Sequence, residues 1–417
     1  MEPIPPRERI DLLDVLRGGA VFGILLVNMA YFSMPIYLAD TDVLRWWTGG
    51  ADRAAVRVIR LLFEGKFYLL FSFLFGVGMA MQMARARPAG ARFVALWTRR
   101  MLLLLVFGAA HALLLSAIDV LALYALLGLV LLVARAASDR KLLLGTVLCF
   151  GLAFLANDEW LTLAELAFDP GAAERIREEE AASEARYAAL TEQAIHAYAE
   201  GGLGEIVAQR VRDLGFYYVG VVAWGPTVLG MFFVGLSVGR RGVLGDVSAW
   251  EPILRRVMWC GLGVGLAGNL VAVVTREASS ADWRSVIEPV KAVAFGIGAP
   301  ALSAFYVAAT GLLLRRPAWR RRLAPLAAVG RMALSNYLLQ SLVCTTIFYS
   351  YGLGLYGRVG PAAGAGLSAV VFAAEVAASV WWLGRFRFGP MEWLWRSLTY
   401  GRWFAMREKA CLNPTSA

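Results

Sequence analysis

The sequence predicts an all-α, polytopic integral membrane bundle of about ten transmembrane helices, with both termini cytoplasmic. Three observations predict it. The 417 residues are 59% hydrophobic and only 17% charged, with a mean hydropathy of +0.60, too apolar for a soluble chain of this length. Apolar runs of about 18 residues or more recur, which is the length that crosses a bilayer. Arginines crowd every second loop, as cytoplasmic loops require. A transmembrane β-barrel is excluded because runs such as Val21–Val27 and Leu102–Val106 do not alternate.

The elements follow in order. Residues 1–13 are polar and proline-bearing, and the first span runs from about Asp14 to Ile36. It lacks a small-residue cleavage site and carries Arg17 and Asn28, so it does not read as a cleavable signal peptide. A loop with Trp46, Trp47 and the stretch Arg53–Arg60 reads as an interfacial helix. Spans two to five are Leu61–Ala84, Met101–Ala117, Val120–Ala134 and Leu142–Ala156, with Asp119 in the tight turn between the third and fourth. The polar stretch 157–213 contains a helix from Ala172 to Glu200, stopped by Gly201-Gly202, and a short helix Glu205–Asp213. Spans six to ten are Leu214–Gly239, Val257–Thr275, Ile287–Leu314, Leu323–Tyr349 and Ala362–Gly384. The chain thus divides into an N-terminal membrane half (1–156), an extracytoplasmic helical segment (157–213), a C-terminal membrane half (214–384) and a cytoplasmic amphipathic tail (385–417).

Loop charge fixes the orientation. Arg85, Arg87, Arg92, Arg99 and Arg100 follow the second span, and Arg135, Arg140 and Lys141 the fourth. Arg240 and Arg241 follow the sixth, Arg315, Arg316 and Arg320–Arg322 the eighth, and Arg385 and Arg387 the tenth. Glu174, Glu178–Glu180 and Glu184 lie on the other side. The net charge of +10 therefore reads as topology, not as a nucleic-acid surface. Cys149, Cys260, Cys344 and Cys411 form no CxxC pair, so the sequence indicates neither a disulfide framework nor a metal site.

Polar residues inside apolar sequence are the candidates for function. His111 is one of two histidines and lies about ten residues into the third span, roughly 15 Å deep at about 1.5 Å per residue. Asp119 follows two turns later, about 12 Å along the axis if the helix continues, with Ser116 and Tyr124 nearby. A histidine with an orienting carboxylate suits a general base or an acyl acceptor; the plainer reading is a histidine hydrogen-bonded between helices. The ninth span carries Gly330-Arg-Met-Ala-Leu-Ser-Asn-Tyr-Leu-Leu-Gln-Ser341. Arg331/Ser335, Asn336/Gln340 and Tyr337/Ser341 are i,i+4 pairs, so their side chains stack toward a lined site or act as interhelical glue. Glu375 and Lys291 are further intramembrane ions, expected to pair with each other or with Arg331. Glu64 and Lys66 open the second span beside an aromatic wall. Asp14 and Arg17 are i,i+3 at the start of the first span, where Arg9 and Arg17 suit an anionic donor such as a phosphate. In the tail, Glu392 and Arg396 are i,i+4.

These segments resemble one family. Arg9-x-x-x-x-Asp14-x-x-Arg17-Gly18, Gly65-Lys66-Phe67 with Leu70-Phe-Ser72, and His111-Ala with Asp119-Val-Leu-x-x-Tyr124 look like the first half of the YeiB family. Gly330 to Ser341 and Gly389-Pro-Met-Glu-Trp-Leu-Trp-Arg-Ser-Leu-Thr399 resemble its second half, the domain of unknown function 418. The Leu-Asp-x-x-Arg-Gly opening followed by Asn28 is similar to the start of the transmembrane acyltransferases, including heparan-α-glucosaminide N-acetyltransferase and the acyltransferase-3 sugar modifiers. That wider resemblance implies a cytoplasmic acyl-CoA donor and an acceptor across the membrane. A histidine soon after the asparagine belongs to the glucosaminide enzyme, whereas residues 29–60 here contain none, and His111 would supply that function from another helix.

Three functions compete. In the first, the chain is an acyltransferase of the bacterial inner membrane, with His111, Asp119 and Asn28 catalytic. Arg9, Asp14, Arg17, Lys66, Tyr124, Arg331, Ser335, Asn336, Gln340 and Glu375 would then bind donor or substrate. No cofactor is bound permanently; acyl-CoA is the donor, and a glycan, lipid or small molecule the acceptor. The second is a transporter or flippase with a polar path through His111, Asp119, Glu375 and Lys291. The third is a non-catalytic scaffold. All three place the chain in a lipid bilayer and none calls for nucleic acid.

Overall fold

The computed structural model describes residues 11–38, 43–86, 90–156, 159–169, 171–278 and 284–407. Arg9, Arg87 and Cys411 lie outside them. All regular structure among the described residues is helical. The first half contains α1 (Asp11–Ser33), the one-turn α2 (Val43–Trp46), α3 (Gly50–Leu62), α4 (Lys66–Ala86), α5 (Gly90–Leu114), α6 (Leu121–Val133) and α7 (Asp139–Leu155). The intervening segment forms α8 (Glu159–Phe168) and α9 (Ala172–Ala199). The second half contains α10 (Leu203–Arg240), α11 (Glu251–Ala278), α12 (Arg284–Leu313), α13 (Pro317–Arg331), α14 (Ala333–Phe348), α15 (Pro361–Leu383) and α16 (Pro390–Tyr400).

Seven helical stretches among the described residues are both long and apolar enough to cross a membrane: α1, α3–α4, α5, α10, α11, α12 and α15. The fourth, fifth and ninth expected spans correspond to shorter helices. At 13 residues, α6 measures about 20 Å, less than a hydrocarbon core of about 30 Å. Outward faces of the bundle are oily: Val106, Leu148, Val222 and Trp259 are all more than 60% exposed, as side chains against lipid would be.

The structure corrects three readings of the sequence. Residues 205–239 form one continuous helix, because the 38-residue α10 carries through from the polar segment into the apolar one. The interfacial helix α3 leads directly into α4 through Gly65, whose φ of +82° permits the turn. The expected ninth span is two helices, broken at Met332. The break is satisfied from both sides. Glu392 of α16 accepts the amides of Leu334 (2.7 Å) and Ser335 (3.1 Å) at the start of α14. Asn336 Nδ2 donates to the Val329 carbonyl near the end of α13 at 3.2 Å. These are backbone groups that a broken helix leaves without partners.

Close packing in the bundle runs through glycines. A Cβ on Gly18 would overlap the Leu326 carbonyl, and one on Gly330 the Asp14 carbonyl, so α1 and α13 meet backbone to backbone. Gly76 and Gly235 do the same for α4 and α10. Small residues at such crossings let helix backbones approach where lipid supplies no hydrophobic drive. Basic loops gather at one end. Arg240 bonds to the Ala137 and Arg135 carbonyls, Arg241 pairs with Asp139 at 2.8 Å, and Arg315 pairs with Glu251. At the other end, Asp213 accepts hydrogen bonds from Tyr37 (2.8 Å), Tyr198 (2.6 Å) and Gln209 (2.8 Å), fastening α9 to the bundle.

A basic-ended cavity and a buried serine–histidine–aspartate chain

One face of α1 lines a cavity of about 680 Å³. Asp14, Arg17, Val21, Ile24, Asn28 and Tyr31 follow the three-to-four spacing of a single helical face. Arg17 to Tyr31 spans 14 residues, about 21 Å of helix. The cavity therefore runs along most of the bundle's depth. Its basic end holds Arg17, Arg85, Arg100, Arg331, Arg387 and Arg396, against the carboxylates Asp14 and Glu392. Asp14 is already engaged by Arg17 at 3.0 Å, and Glu392 caps α14. Arg100 stacks 3.9 Å over the Trp395 ring. The Arg331 Nε is buried and makes no hydrogen bond. Phe71, Phe75, Tyr124 and Trp224 line the middle, and Asn28, Tyr31, Phe216 and Tyr217 the far end. An excess of guanidinium groups at one end of an aromatic tunnel suits an anionic amphiphile.

His111 lies elsewhere than the sequence suggested. α5 begins at Gly90, eleven residues earlier than expected, so His111 sits one turn from the helix end opposite the arginines. The helix stops at Leu114, and the chain turns back. That turn brings Asp119 Oδ1 to 2.9 Å from His111 Nδ1, rather than leaving it two turns away. Asp119 Oδ2 accepts the Ala122 amide at 2.7 Å, capping the first turn of α6. Gly108 is needed here, because a Cβ would strike the Ala122 amide and Asp119 Oδ2. The other imidazole nitrogen, Nε2, lies 2.8 Å from Ser341 Oγ on α14. His111, Asp119 and Ser341 are 2%, 0% and 1% exposed.

The chain of three stands behind the cavity wall. Tyr337 and Ile118 line the cavity. The Tyr337 hydroxyl donates to the Ile118 carbonyl at 3.2 Å, and its ring centroid is 5.0 Å from that of His111. Tyr337 and Ile118 thus close a seam between the cavity and the histidine.

The remaining candidates divide. Asn28, Asp14, Arg17, Tyr124 and Arg331 line the cavity. The Tyr124 hydroxyl meets Ser72 Oγ at 2.7 Å and donates to the Tyr68 carbonyl at 2.8 Å. Ser335 Oγ donates to Glu392 at 2.5 Å and accepts the Met391 amide at 3.0 Å. Asn336 and Gln340 point away from His111: Asn336 reaches Ser379 at 3.0 Å and Gln340 reaches Glu375 at 2.8 Å, both on α15. Lys66 is fully buried, and its ammonium donates to the Arg60 carbonyl at 2.7 Å, which closes the α3–α4 turn. The expected partnership of Glu375 with Lys291 or Arg331 gives way to Gln340 for Glu375 and Glu288 for Lys291, since each has a partner closer along the fold. Ser341 was visible in the sequence only as the i,i+4 neighbour of Tyr337. Its histidine partner is 230 residues away, and no spacing signals that.

Comparison with known proteins gives a family and no activity. Residues 238–402 match the family model described as "Protein of unknown function (DUF418)". The chain is similar to "Uncharacterized protein YxaH" of Bacillus subtilis (strain 168), at 39% identity over 98% of each chain. It is 31% identical to "Uncharacterized protein YeiB" of Escherichia coli (strain K12), over 94% of this chain and 96% of that one. An uncharacterized 39.9 kDa protein of Bacillus acidopullulyticus is 30% identical over 97% of both. No solved structure matches the chain.

Proposed function

The chain belongs to the DUF418 family together with YxaH and YeiB, and from that premise we propose that it is an acyltransferase of the bacterial plasma membrane. In this reading it crosses the bilayer ten times, with α6, α7 and the α13–α14 pair as the shorter crossings. Both termini and the basic end of the cavity face the cytoplasm, and α8–α9 lie outside. The carrying observation is the cavity, with guanidinium groups at one end and an aromatic tunnel leading away from them. Acyl-CoA has the matching chemistry: phosphates for Arg17, Arg100 and Arg331, and an acyl chain for the tunnel. The acyl group would then arrive beside Asn28, Tyr337 and, behind it, His111. An imidazole held by a carboxylate can take the proton of an acceptor hydroxyl or amine on a glycan, lipid or small molecule.

A transporter or flippase is the second reading, favoured by the closed seam at Tyr337: a cavity walled off from His111 can pass an anionic amphiphile without chemistry. One experiment separates them. Purified protein in nanodiscs is given acetyl-CoA and longer acyl-CoAs, and free thiol is measured for wild type and His111→Ala, with coenzyme A binding followed in parallel. The acyltransferase releases thiol, and His111→Ala loses about 10²-fold or more of that rate while still binding coenzyme A. Coenzyme A binding with no thiol release from any acyl-CoA, together with movement of a labelled anionic lipid between leaflets, would replace this reading with the flippase.

A further inference from the structure

The hydrogen-bonded chain leading from the α5–α6 turn through α5 to α14 contains a third member that the acyl-transfer reading above does not use. Resting on that reading, we propose that Ser341 is a nucleophile, activated by His111 and oriented through Asp119, and that the acyl group passes through an acyl-serine.

The argument begins with protons. Asp119 Oδ2 already accepts the Ala122 amide, so the carboxylate faces His111 through Oδ1 as an acceptor. Nδ1 therefore carries the proton, and Nε2 is left bare. Ser341 Oγ is 2.8 Å from Nε2 and 3.3 Å from the Tyr337 carbonyl. Its hydroxyl proton has its shorter path to the imidazole. A nucleophile in hydrogen-bond reach of a base, with the base held by a third group, is the arrangement that activates serine. Interhelical glue needs only one partner for each histidine nitrogen, and a backbone carbonyl on Nδ1 with a backbone amide on Nε2 would serve. Here the three groups come from α5, the α5–α6 turn and α14, and they lie in the order that relays a proton.

Access runs through the Tyr337–Ile118 seam. Tyr337 is one helical turn from Ser341 on α14, touches His111 and forms the cavity wall. Swinging its ring into the cavity, at the cost of one hydrogen bond to Ile118, would open the cavity onto His111 and Ser341. The step then balances. Ser341 Oγ bonds to the thioester carbonyl carbon as its proton passes to His111 Nε2. The carbon–sulfur bond breaks, and the leaving sulfur takes that proton. An acceptor hydroxyl or amine next gives its proton to Nε2 and attacks the serine ester. The acyl group leaves on the acceptor, and Ser341 Oγ recovers the proton.

The test uses full-length protein in nanodiscs and two probes. The first is a membrane-permeant alkyl fluorophosphonate, which reports serine nucleophilicity whatever the natural donor is. The second is acetyl-CoA without an acceptor. Wild type should be labelled at Ser341 by the fluorophosphonate and, with acetyl-CoA, should gain one acetyl group on the same residue with a matching burst of thiol. His111→Ala and Asp119→Asn should lose at least about 10²-fold of the labelling rate, while Ser341→Cys should still accept the acetyl group as a thioester. Tyr337→Ala should label faster. Thermal melting of each variant identifies any that fails to fold, and Ser341→Cys then carries the comparison. Fluorophosphonate labelling without acetyl-CoA turnover keeps the nucleophile and overturns only the choice of donor. Turnover that survives in Ser341→Ala but not in His111→Ala overturns the acyl-serine and leaves His111 as a direct base. Wild type unlabelled at Ser341 by either probe overturns the proposal.

Discussion

Glu392→Ala tests whether the two long motifs of the second half form one unit. The Glu392 carboxylate accepts the Leu334 amide at 2.7 Å, the Ser335 amide at 3.1 Å and the Ser335 hydroxyl at 2.5 Å. Removing it strands two amides in the first turn of α14 and one hydroxyl. A buried donor left without a partner costs about 1–3 kcal/mol. Leu334 is buried and takes that cost, while half-buried Ser335 takes the low end and its hydroxyl can turn. The sum is about 2–4 kcal/mol. Glu392→Gln keeps an oxygen on the amides and should cost about 1 kcal/mol or less. The assay is thermal melting of purified protein in detergent for all three forms. Equal melting of wild type and Glu392→Ala would refute the clamp. The pH dependence adds a sign. Burial pushes the Glu392 carboxyl above its ordinary range, and its donors draw it partly back. An acid raised on folding contributes stability that is complete below the unfolded value, about 4.3, and is lost as pH rises through the folded value. The advantage of wild type over Glu392→Gln should therefore shrink on going from about pH 4 upward, and a widening gap would contradict it.

Other outcomes follow from the packing. Gly330→Ala forces a methyl onto the Asp14 carbonyl and should destabilise by about 1–3 kcal/mol or more, whereas Gly366→Ala, which meets nothing, should be neutral or slightly stabilising; melting of both decides. Arg331→Gln removes a half-buried guanidinium whose Nε is buried without a hydrogen bond and should weaken coenzyme A binding about 10–100-fold in calorimetry, the equivalent of one charge-assisted hydrogen bond. Asp213→Ala leaves Tyr37, Tyr198 and Gln209 without their shared acceptor and should speed proteolysis within α9; unchanged cleavage would show that the cluster does not fasten that helix.

Much of the fold was legible because lipid writes a simple rule into sequence. Every apolar run became a helix, and Arg240, Arg241 and Arg315 meet residues of the adjacent loops and helix ends. What escaped was whatever depended on distant partners. The break at Met332 has no proline or glycine at the break itself; it depends on Glu392, 60 residues later. The length of α5 escaped because Arg92, Arg99 and Arg100 look like loop residues until Trp395 covers Arg100. Once α5 is lengthened and ended at Leu114, His111 moves from mid-depth to the far end and Asp119 comes within reach. The candidate site was half legible. Asn28, Arg17, Tyr124 and Arg331 share the cavity, as intramembrane polar groups on different helices suggested. Gln340, Asn336 and Glu375 were equally polar and serve the α14–α15 contact instead, and sequence has no mark that separates those two uses.

The single face of α1 along the cavity has a metric consequence. Its wall residues recur every three or four positions, so they stand about 5 Å apart along the axis. Any molecule long enough to lie in the cavity with its charge among the arginines is laid against a ruler graduated in those steps. Val21 and Ile24 are intermediate marks, and Asn28 and Tyr31 the far ones. A bulkier side chain at Val21 or Ile24 would stop such a molecule one graduation short, and a smaller one would let it slide deeper, without altering the grip on its charged end.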